Sequence, residues 1–353
     1  MNGKRILLSH GSGGLLTRRL IEELFVEEFK NPLLDRLNDQ AVFEIPCAGR
    51  GGPISERLAF TTDSYVITPL FFPGGDIGCL AVCGTVNDLA VGGAVPKYLS
   101  ASFIIEEGME IAELKRIVIS MATAAKEAGV EIVTGDTKVV ERGKGDRLYI
   151  NTAGIGVVGA GVELDPTRIE PGDVIILSGT VGDHAIAVLT EREGIELESA
   201  VESDCAPLHL MIAKMLEAGG GNGIRTMRDA TRGGVATVLA EFAEVSKTSL
   251  LIREESVPVK ESVRGACELL GFDPLYLANE GKLVAVVSKE NADAVLAAMK
   301  DDPNGTDAAI IGLVEGEPKD TTEKATGKVV LETIIGNRRP LEMLTGEQLP
   351  RIC

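Results

Sequence analysis

A mixed α/β or α+β chain of two domains is the architecture this sequence predicts, on three observations. At 353 residues it is longer than one hydrophobic core usually serves. Helical and strand-like patterning is mixed through both halves, which disfavours a helical bundle or an all-β sandwich. Between the halves, Asp165-Pro166 and Glu170-Pro171-Gly172-Asp173 combine a restricted backbone with a turn-forming glycine.

The elements follow in chain order. Gly11-Ser12-Gly13-Gly14 opens into a helix in which Leu16, Leu20 and Leu24 recur every fourth residue, ending near Asn31-Pro32. Short strands are expected at 42–45, 58–62 and 65–68. Residues 76–91 are apolar nearly throughout and predict a buried helix. A strand at 98–105 precedes the clearest helix, 110–128, and a glycine-rich strand covers 148–158. Beyond the boundary come a strand at 174–177, helices near Ala185 and Leu208, a helix after Gly234 and a strand at 250–253. Another helix begins near Val259, with strands at 283–287 and 310–314. Residues 316–326 are polar, 329–331 resemble a short strand, and the chain finishes Leu349-Pro350-Arg351-Ile352-Cys353. A terminus moves unless tied down, so this tail can present its last residue. The expected partition is a glycine-rich loop and helical arm at 1–40, a first domain at 41–165, an α/β domain at 166–315, and a C-terminal segment with a mobile, cysteine-bearing tail at 316–353.

Charge and composition exclude several classes. Lys and Arg number 35 against 53 Asp and Glu, a formal charge of −18 that opposes long-range attraction to nucleic-acid phosphates. A small anion remains possible where backbone N–H groups or Mg²⁺ reverse the field locally. No signal-like start and no uninterrupted apolar run of roughly 18 residues is present, so a cytoplasmic chain without a membrane partner is expected. The six cysteines are too sparse for a small-domain disulfide framework. Cys79 and Cys83 can share a helix face, but His10, His184 and His209 are scattered, so structural zinc is not expected.

Four aspartates stand in unusual contexts. Asp63 follows the strand-like Phe60-Thr61-Thr62, and Asp88 sits inside the otherwise apolar Thr85-Val86-Asn87-Asp88-Leu89-Ala90. Asp136 lies in Thr134-Gly135-Asp136-Thr137-Lys138 after a strand, and Asp229 in Arg228-Asp229-Ala230-Thr231-Arg232-Gly233-Gly234. Carboxylates buried without partners are costly, so they either converge on a cation or serve as caps, turn ligands and surface ion pairs. Hard oxygen donors suit Mg²⁺ with nucleotide phosphates in its shell. His10-Gly11-Ser12-Gly13-Gly14 and Thr231-Arg232-Gly233-Gly234 offer N–H groups for phosphate, though neither is a Walker loop. Gly154-Ile155-Gly156-Val157-Val158-Gly159 has dinucleotide spacing but continues a strand, so close packing explains it better. Lys138 is a phosphate neutraliser, a base if its pKa falls, or a surface lysine. Glu280 is a turn residue or a proton-transfer group, and His184 a catalytic or a buried capping residue. Cys353 is either incidental or a flexible thiol carrier; the terminal carboxylate raises its pKa and Arg351 lowers it.

These segments, with Thr61-Thr62-Asp63-Ser64-Tyr65, Pro69-Leu70-Phe71-Phe72-Pro73-Gly74-Gly75-Asp76, Asp273-Pro274-Leu275-Tyr276-Leu277-Ala278-Asn279-Glu280-Gly281 and the final Pro350-Arg351-Ile352-Cys353, resemble the HypE family of hydrogenase maturation proteins. That family lies within the ATP-binding group related to aminoimidazole ribonucleotide synthetase, and the likeness runs over essentially the whole chain. It implies an N-terminal domain that binds ATP and dimerises through its sheet. It also implies that a carbamoyltransferase loads Cys353, and that ATP-dependent dehydration converts the thiocarbamate to thiocyanate. The product supplies cyanide to the iron of a [NiFe]-hydrogenase through an iron-centre assembly scaffold complex. The same resemblance implies proton transfer by Glu280 and Lys138, with Mg²⁺ held by Asp63, Asp88, Asp136 and Asp229. It places nucleotide contacts at His10, Gly11, Gly13, Gly14, Asn87, Thr137, Thr231, Gly233 and Gly234 as well as those aspartates. A related phosphoryl transferase acting on a free molecule, or a scaffold whose tail only docks partners, is the alternative.

Overall fold

Two sheets divide the chain at the boundary the prolines mark. The computed structural model describes residues 6–11, 14–29, 31–49, 52–197, 199–315, 327–344, 349 and 352–353. Gly13 and Arg351 therefore lie outside the described residues.

The first sheet contains β1 (Ala41–Gly49), β2 (Gly52–Tyr65), β5 (Ala94–Glu106), β6 (Glu131–Val140) and β7 (Leu148–Val158), in the order β1-β2-β7-β5-β6. A two-residue pair, β3 (Phe71–Phe72) with β4 (Gly75–Asp76), stands beside it. Only β5 and β6 run parallel. The helices Ile77–Val91 and Ile111–Glu127 supply the other half of this domain's core, including Leu80, Val86, Ile117 and Met121. The first is buried almost all round, as its uninterrupted apolar sequence requires. Asp76 starts it by accepting from the N–H groups of Gly78 and Cys79 at 2.7 and 3.1 Å.

The second sheet has β8 (Val174–Leu177), β9 (Ile224–Asp229), β10 (Ser249–Arg253), β11 (Leu283–Val287), β12 (Ala309–Glu315), β13 (Val329–Glu332) and β14 (Arg338–Pro340), in the order β14-β13-β10-β12-β8-β11-β9. One face packs on the helix Gly234–Ser246, the other on His209–Ala218 and Ala292–Lys300. Strands buried on both faces read as continuous apolar runs, and Leu283–Val287 is buried at every position.

Two sequence expectations change. The pieces expected at 58–62 and 65–68 are one long strand ending at Tyr65, so Asp63 lies within β2. Asp136 lies within β6 instead of following a strand. The Gly154–Gly159 spacing falls at the end of β7, where a Cβ on Gly154 would stand 2.8 Å from Thr85 and one on Gly156 3.0 Å from Val95 backbone. Glycine there is a packing requirement.

Candidate functional site

The chain's last residue is held between the two domains by main-chain hydrogen bonds. Val66 N–H, just past β2, donates to a terminal carboxylate oxygen of Cys353 at 3.2 Å. His184, in the helix Asp183–Glu193, has Nε2 2.7 Å from the Ile352 carbonyl and Nδ1 2.8 Å from Ser203 Oγ. A carbonyl only accepts, so Nε2 carries the proton and Nδ1 accepts from Ser203. Burial lowers the His184 pKa and keeps the ring in that neutral form. Ile352 is buried in the core cluster that joins both domains. His184 is thus a tail latch.

Alternation along β2 turns Thr61, Asp63 and Tyr65 toward the helix that carries Asp88. Thr61 Oγ1 is 2.7 Å from the Asp39 carbonyl and 2.9 Å from Asp88 Oδ2. The Thr61 hydroxyl proton is therefore shared between two acceptors, the Asp39 carbonyl and the Asp88 carboxylate. Burial, then the charges of Asp229, Asp39 and Asp63, pushes the Asp88 pKa well above the usual carboxylate range. Asp229 ends β9 opposite Leu283 at the start of β11, and Glu280 stands three residues before that strand. Burial and Asp39 push Asp229 up to about 8, against the lowering influence of Arg228. Burial, followed by Asp229, Asp204 and Asp63, pushes Glu280 well above its ordinary value.

The Glu280 backbone is fixed by Asp204, whose carboxylate accepts from Glu280 N–H at 3.2 Å and Gly281 N–H at 3.3 Å. Its side-chain Oε1 is buried without a hydrogen-bond partner among the described residues. Arg232 provides the opposing charge, 3.5 Å from Asp63 and close enough to Cys353 to lower the thiol pKa. Desolvation wins, and with Glu280, Asp63 and Asp229 it raises the Cys353 thiol far above its usual value. The docked sulfur is held as a neutral group.

Asp63, Asp88 and Asp229 are hard oxygen donors of the type Mg²⁺ takes, although among the described residues they do not close on one another to ligand spacing; a cation among them would return these acids to their ionised forms. Without one, the folded chain holds more protons at Asp229 than the unfolded chain between pH 3.8 and about 8. Stability therefore falls as pH rises through that window. Thermal melts in chelator are expected to drop by at least a few degrees from about pH 5.5 to about pH 8. Asp229→Asn should raise the pH 8 midpoint and flatten the slope. An unchanged slope would remove Asp229 as a source of the strain.

Other expected site residues fall differently. Asn87 is a domain clamp: its side chain donates to the carbonyls of Ala206 at 3.0 Å and Glu280 at 3.3 Å and accepts from Leu208 N–H at 2.8 Å. Gly233 and Gly234 start the helix after Thr231 with φ of +79° and +62°. A Cβ on Gly234 would come within 2.6 Å of the Leu275 and Leu277 carbonyls. His10, Gly11 and Gly14 lie in the N-terminal turn and at the start of the helix Leu15–Leu20. Asp136 and Lys138 pair with each other at 2.9 Å on exposed β6, with Thr137 between them. Strand register carries Asp136 to Ser102, Asn151 and Ser64, so three strand spacings, about 14 Å, separate it from β2. It also faces away from Asp63. One chain alone does not bring Asp136, Thr137 and Lys138 to the acidic cluster.

Asp39, Asp204 and Arg232 complete the site, and sequence reasoning gave none of them a role. Asp39 and Asp204 look like ordinary loop acids, while Arg232 carried a signal as a cation inside the glycine-rich turn Thr231-Arg232-Gly233-Gly234.

Comparison with known proteins agrees with this two-domain fold. Residues 38–158 match the family "AIR synthase related protein, N-terminal domain", and residues 170–324 its C-terminal domain counterpart. The chain is 52% identical over 349 residues to "Carbamoyl dehydratase HypE" of Rhizobium leguminosarum bv. viciae, covering 99% of this chain and 95% of that protein. The structure superposes on the HypE of a crystallised HypE–HypF complex with a TM-score of 0.83 at 46% identity, covering 92% and 99% of the two chains. It superposes on a HypE crystallised with ATP with a TM-score of 0.80 at 49% identity, covering 99% and 100%. Full-length identity near one half, the paired domains and the inserted terminal cysteine converge on one conclusion: the chain belongs to the HypE carbamoyl dehydratase family, built on the AIR synthase related fold.

Proposed function

We propose that this chain uses ATP to dehydrate a carbamoyl group carried on its own Cys353, forming protein-bound thiocyanate for the iron of a [NiFe]-hydrogenase. The observation that carries the reading is the docked tail, whose sulfur sits among Glu280, Asp63, Asp229 and Arg232 in surroundings that disfavour a thiolate. A sulfur bearing a carbamoyl group is uncharged and escapes that penalty. The cleft accepts the loaded sulfur, as it accepts the neutral thiol, without that penalty.

ATP, when bound, supplies the phosphoryl group that makes the carbamoyl oxygen a leaving group, and Mg²⁺ offsets the charge gathered there. Asp63, Asp88 and Asp229 would hold that ion. The chain's own tasks are to position and to move protons. His184 and Val66 hold the tail, converting a bimolecular encounter into an intramolecular one. Two protons leave the nitrogen as the carbon–oxygen bond breaks and the triple bond forms; the oxygen departs in phosphate. Glu280, ionised once a cation is bound, accepts the first of them and the departing phosphate carries off the second; the upward pull of burial on the Glu280 pKa brings a carboxylate nearer neutrality, where a general base works best.

A homodimer is part of this proposal. On the sheet face away from the helices, Phe60, Ile155 and Tyr98 stand in register with exposures of 43%, 42% and 49%. Beside them β6 exposes Ile132, Val133 and Val139 along an unpaired edge. A second copy covering this face would bring Asp136 and Lys138 to its own cleft. Sedimentation at micromolar concentration is expected to give twice the monomer mass; a monomer throughout the active range would overturn the dimer. Loading of Cys353 is assigned to a HypF-type carbamoyltransferase, and delivery to an iron-centre scaffold. Among the described residues no helix is long and apolar enough to cross a membrane.

Mass spectrometry of the C-terminal peptide tests the reaction. Carbamoyl loading should add one carbamoyl group, and ATP should then remove one water from it. A loaded tail that keeps its mass in the presence of ATP would favour a scaffold role instead.

A further inference from the structure

A third thiol stands beside the two that share a helix face. Cys79 lies in the first turn of the helix Ile77–Val91, and Cys83 follows one turn later. Cys205 comes from the second domain, on the segment between the helices Asp183–Glu193 and His209–Ala218. Cys79 Sγ lies 3.8 Å from Cys83 Sγ and 3.8 Å from Cys205 Sγ, and the three sulfurs are all within 4.8 Å of one another. All three are free thiols. Around a tetrahedral ion with metal–sulfur bonds of about 2.3 Å, neighbouring sulfurs are about 3.8 Å apart, the edge length of the tetrahedron.

We propose that Cys79, Cys83 and Cys205 form a thiolate site for a divalent ion of the zinc class, clasping the first domain's buried helix to the second domain. All-sulfur donors select such ions over Mg²⁺. A helix N-terminus favours a thiolate at Cys79, and the S–H groups of Cys205 and Cys83 directed at it lower its pKa further. An entry path exists, because Cys205 lines a cleft of about 290 Å³ together with Asp183, Ser203, Lys260 and Lys282. Three protein ligands leave one tetrahedral corner for water. Binding displaces thiol protons to solvent and changes no oxidation state.

Such an ion would act on the catalytic centre through the backbone. Asp204, adjacent to Cys205, holds the N–H groups of Glu280 and Gly281, and the carbonyl of Ala206 accepts from Asn87. The clasp therefore fixes the segment that positions Glu280 without touching substrate.

Cobalt(II) is the probe, added anaerobically to the full chain with its thiols reduced and metal removed. Thiolate-to-cobalt charge-transfer absorption should saturate at one cobalt per chain and disappear on displacement by zinc. Cys79→Ser and Cys205→Ser should each weaken cobalt binding by more than the roughly 10–100-fold that loss of an outer-sphere partner costs. Cys267→Ser and Cys353→Ser should leave the spectrum and stoichiometry unchanged, and circular dichroism establishes that each variant is folded. Absence of the band from fully reduced chain would overturn the site. So would a band that survives Cys205→Ser, or one lost on Cys353→Ser.

Discussion

Cys353→Ala is expected to abolish carbamoyl loading and all thiocyanate formation, while the tail still docks and ATP still binds. The docking contacts explain the separation. Val66 donates to the terminal carboxylate of Cys353, His184 bonds the Ile352 carbonyl, and Ile352 supplies the buried side chain, so none of these anchors needs the thiol. Removing sulfur from a site that already penalises its charge costs the fold little. The docked thiol is a poor nucleophile because burial and three nearby acids raise its pKa, so loading belongs to a tail that has left the cleft. Intact-mass measurement after incubation with the carbamoyltransferase, paired with an ATP titration of the same variant, checks both halves. A carbamoyl adduct on the Cys353→Ala tail would end the carrier reading. Lost ATP binding would show that the thiol helps build the cleft.

How much of this was legible depended on whether burial leaves a local pattern. The helix Ile111–Glu127 shows a polar and an apolar face, and the strand Leu148–Val158 alternates in burial, so sequence placed both within a residue or so. The strand Ile224–Asp229 went unseen because Arg225 and Arg228 interrupt it. Both are used internally, Arg225 against Asp173 at 3.1 Å and Arg228 against Asp39 at 3.1 Å. The strand Glu131–Val140 was cut short because its residues are exposed on both faces in one chain, and no inside–outside alternation marks it. Within the site, Asp88 was readable as an acid in apolar company, Asp63 as one following a strand-like run and Asp229 as one beside a glycine-rich turn. Asp39 and Asp204 become functional only through folding, which sets them beside groups far away in sequence. The same holds for Cys205, 126 residues from Cys79. Cys353 was readable as a candidate carrier only through its position at the terminus, and the resemblance, not its neighbours in sequence, gave it a reaction.

Glu280→Gln should load normally and then fail to lose water, with dehydration slowed by about 10²–10⁴-fold, the usual worth of a positioned base. The substitution is unusually clean here. Burial and the charges of Asp229, Asp204 and Asp63 raise the Glu280 pKa and so favour its neutral form in the free chain, which an amide of the same size mimics. Its backbone remains clamped by Asp204 and its carbonyl by Asn87, neither of which sees the side chain. Stability should therefore change little, or rise slightly above neutral pH where a buried carboxylate would otherwise ionise. The amide cannot take up a proton from the carbamoyl nitrogen, so the loaded species should accumulate. Rapid-quench mass spectrometry of the tail after ATP addition distinguishes the outcomes. Conversion at the wild-type rate would remove Glu280 from proton transfer, and a variant that melts far below wild type would show that its carboxyl group has a structural duty instead.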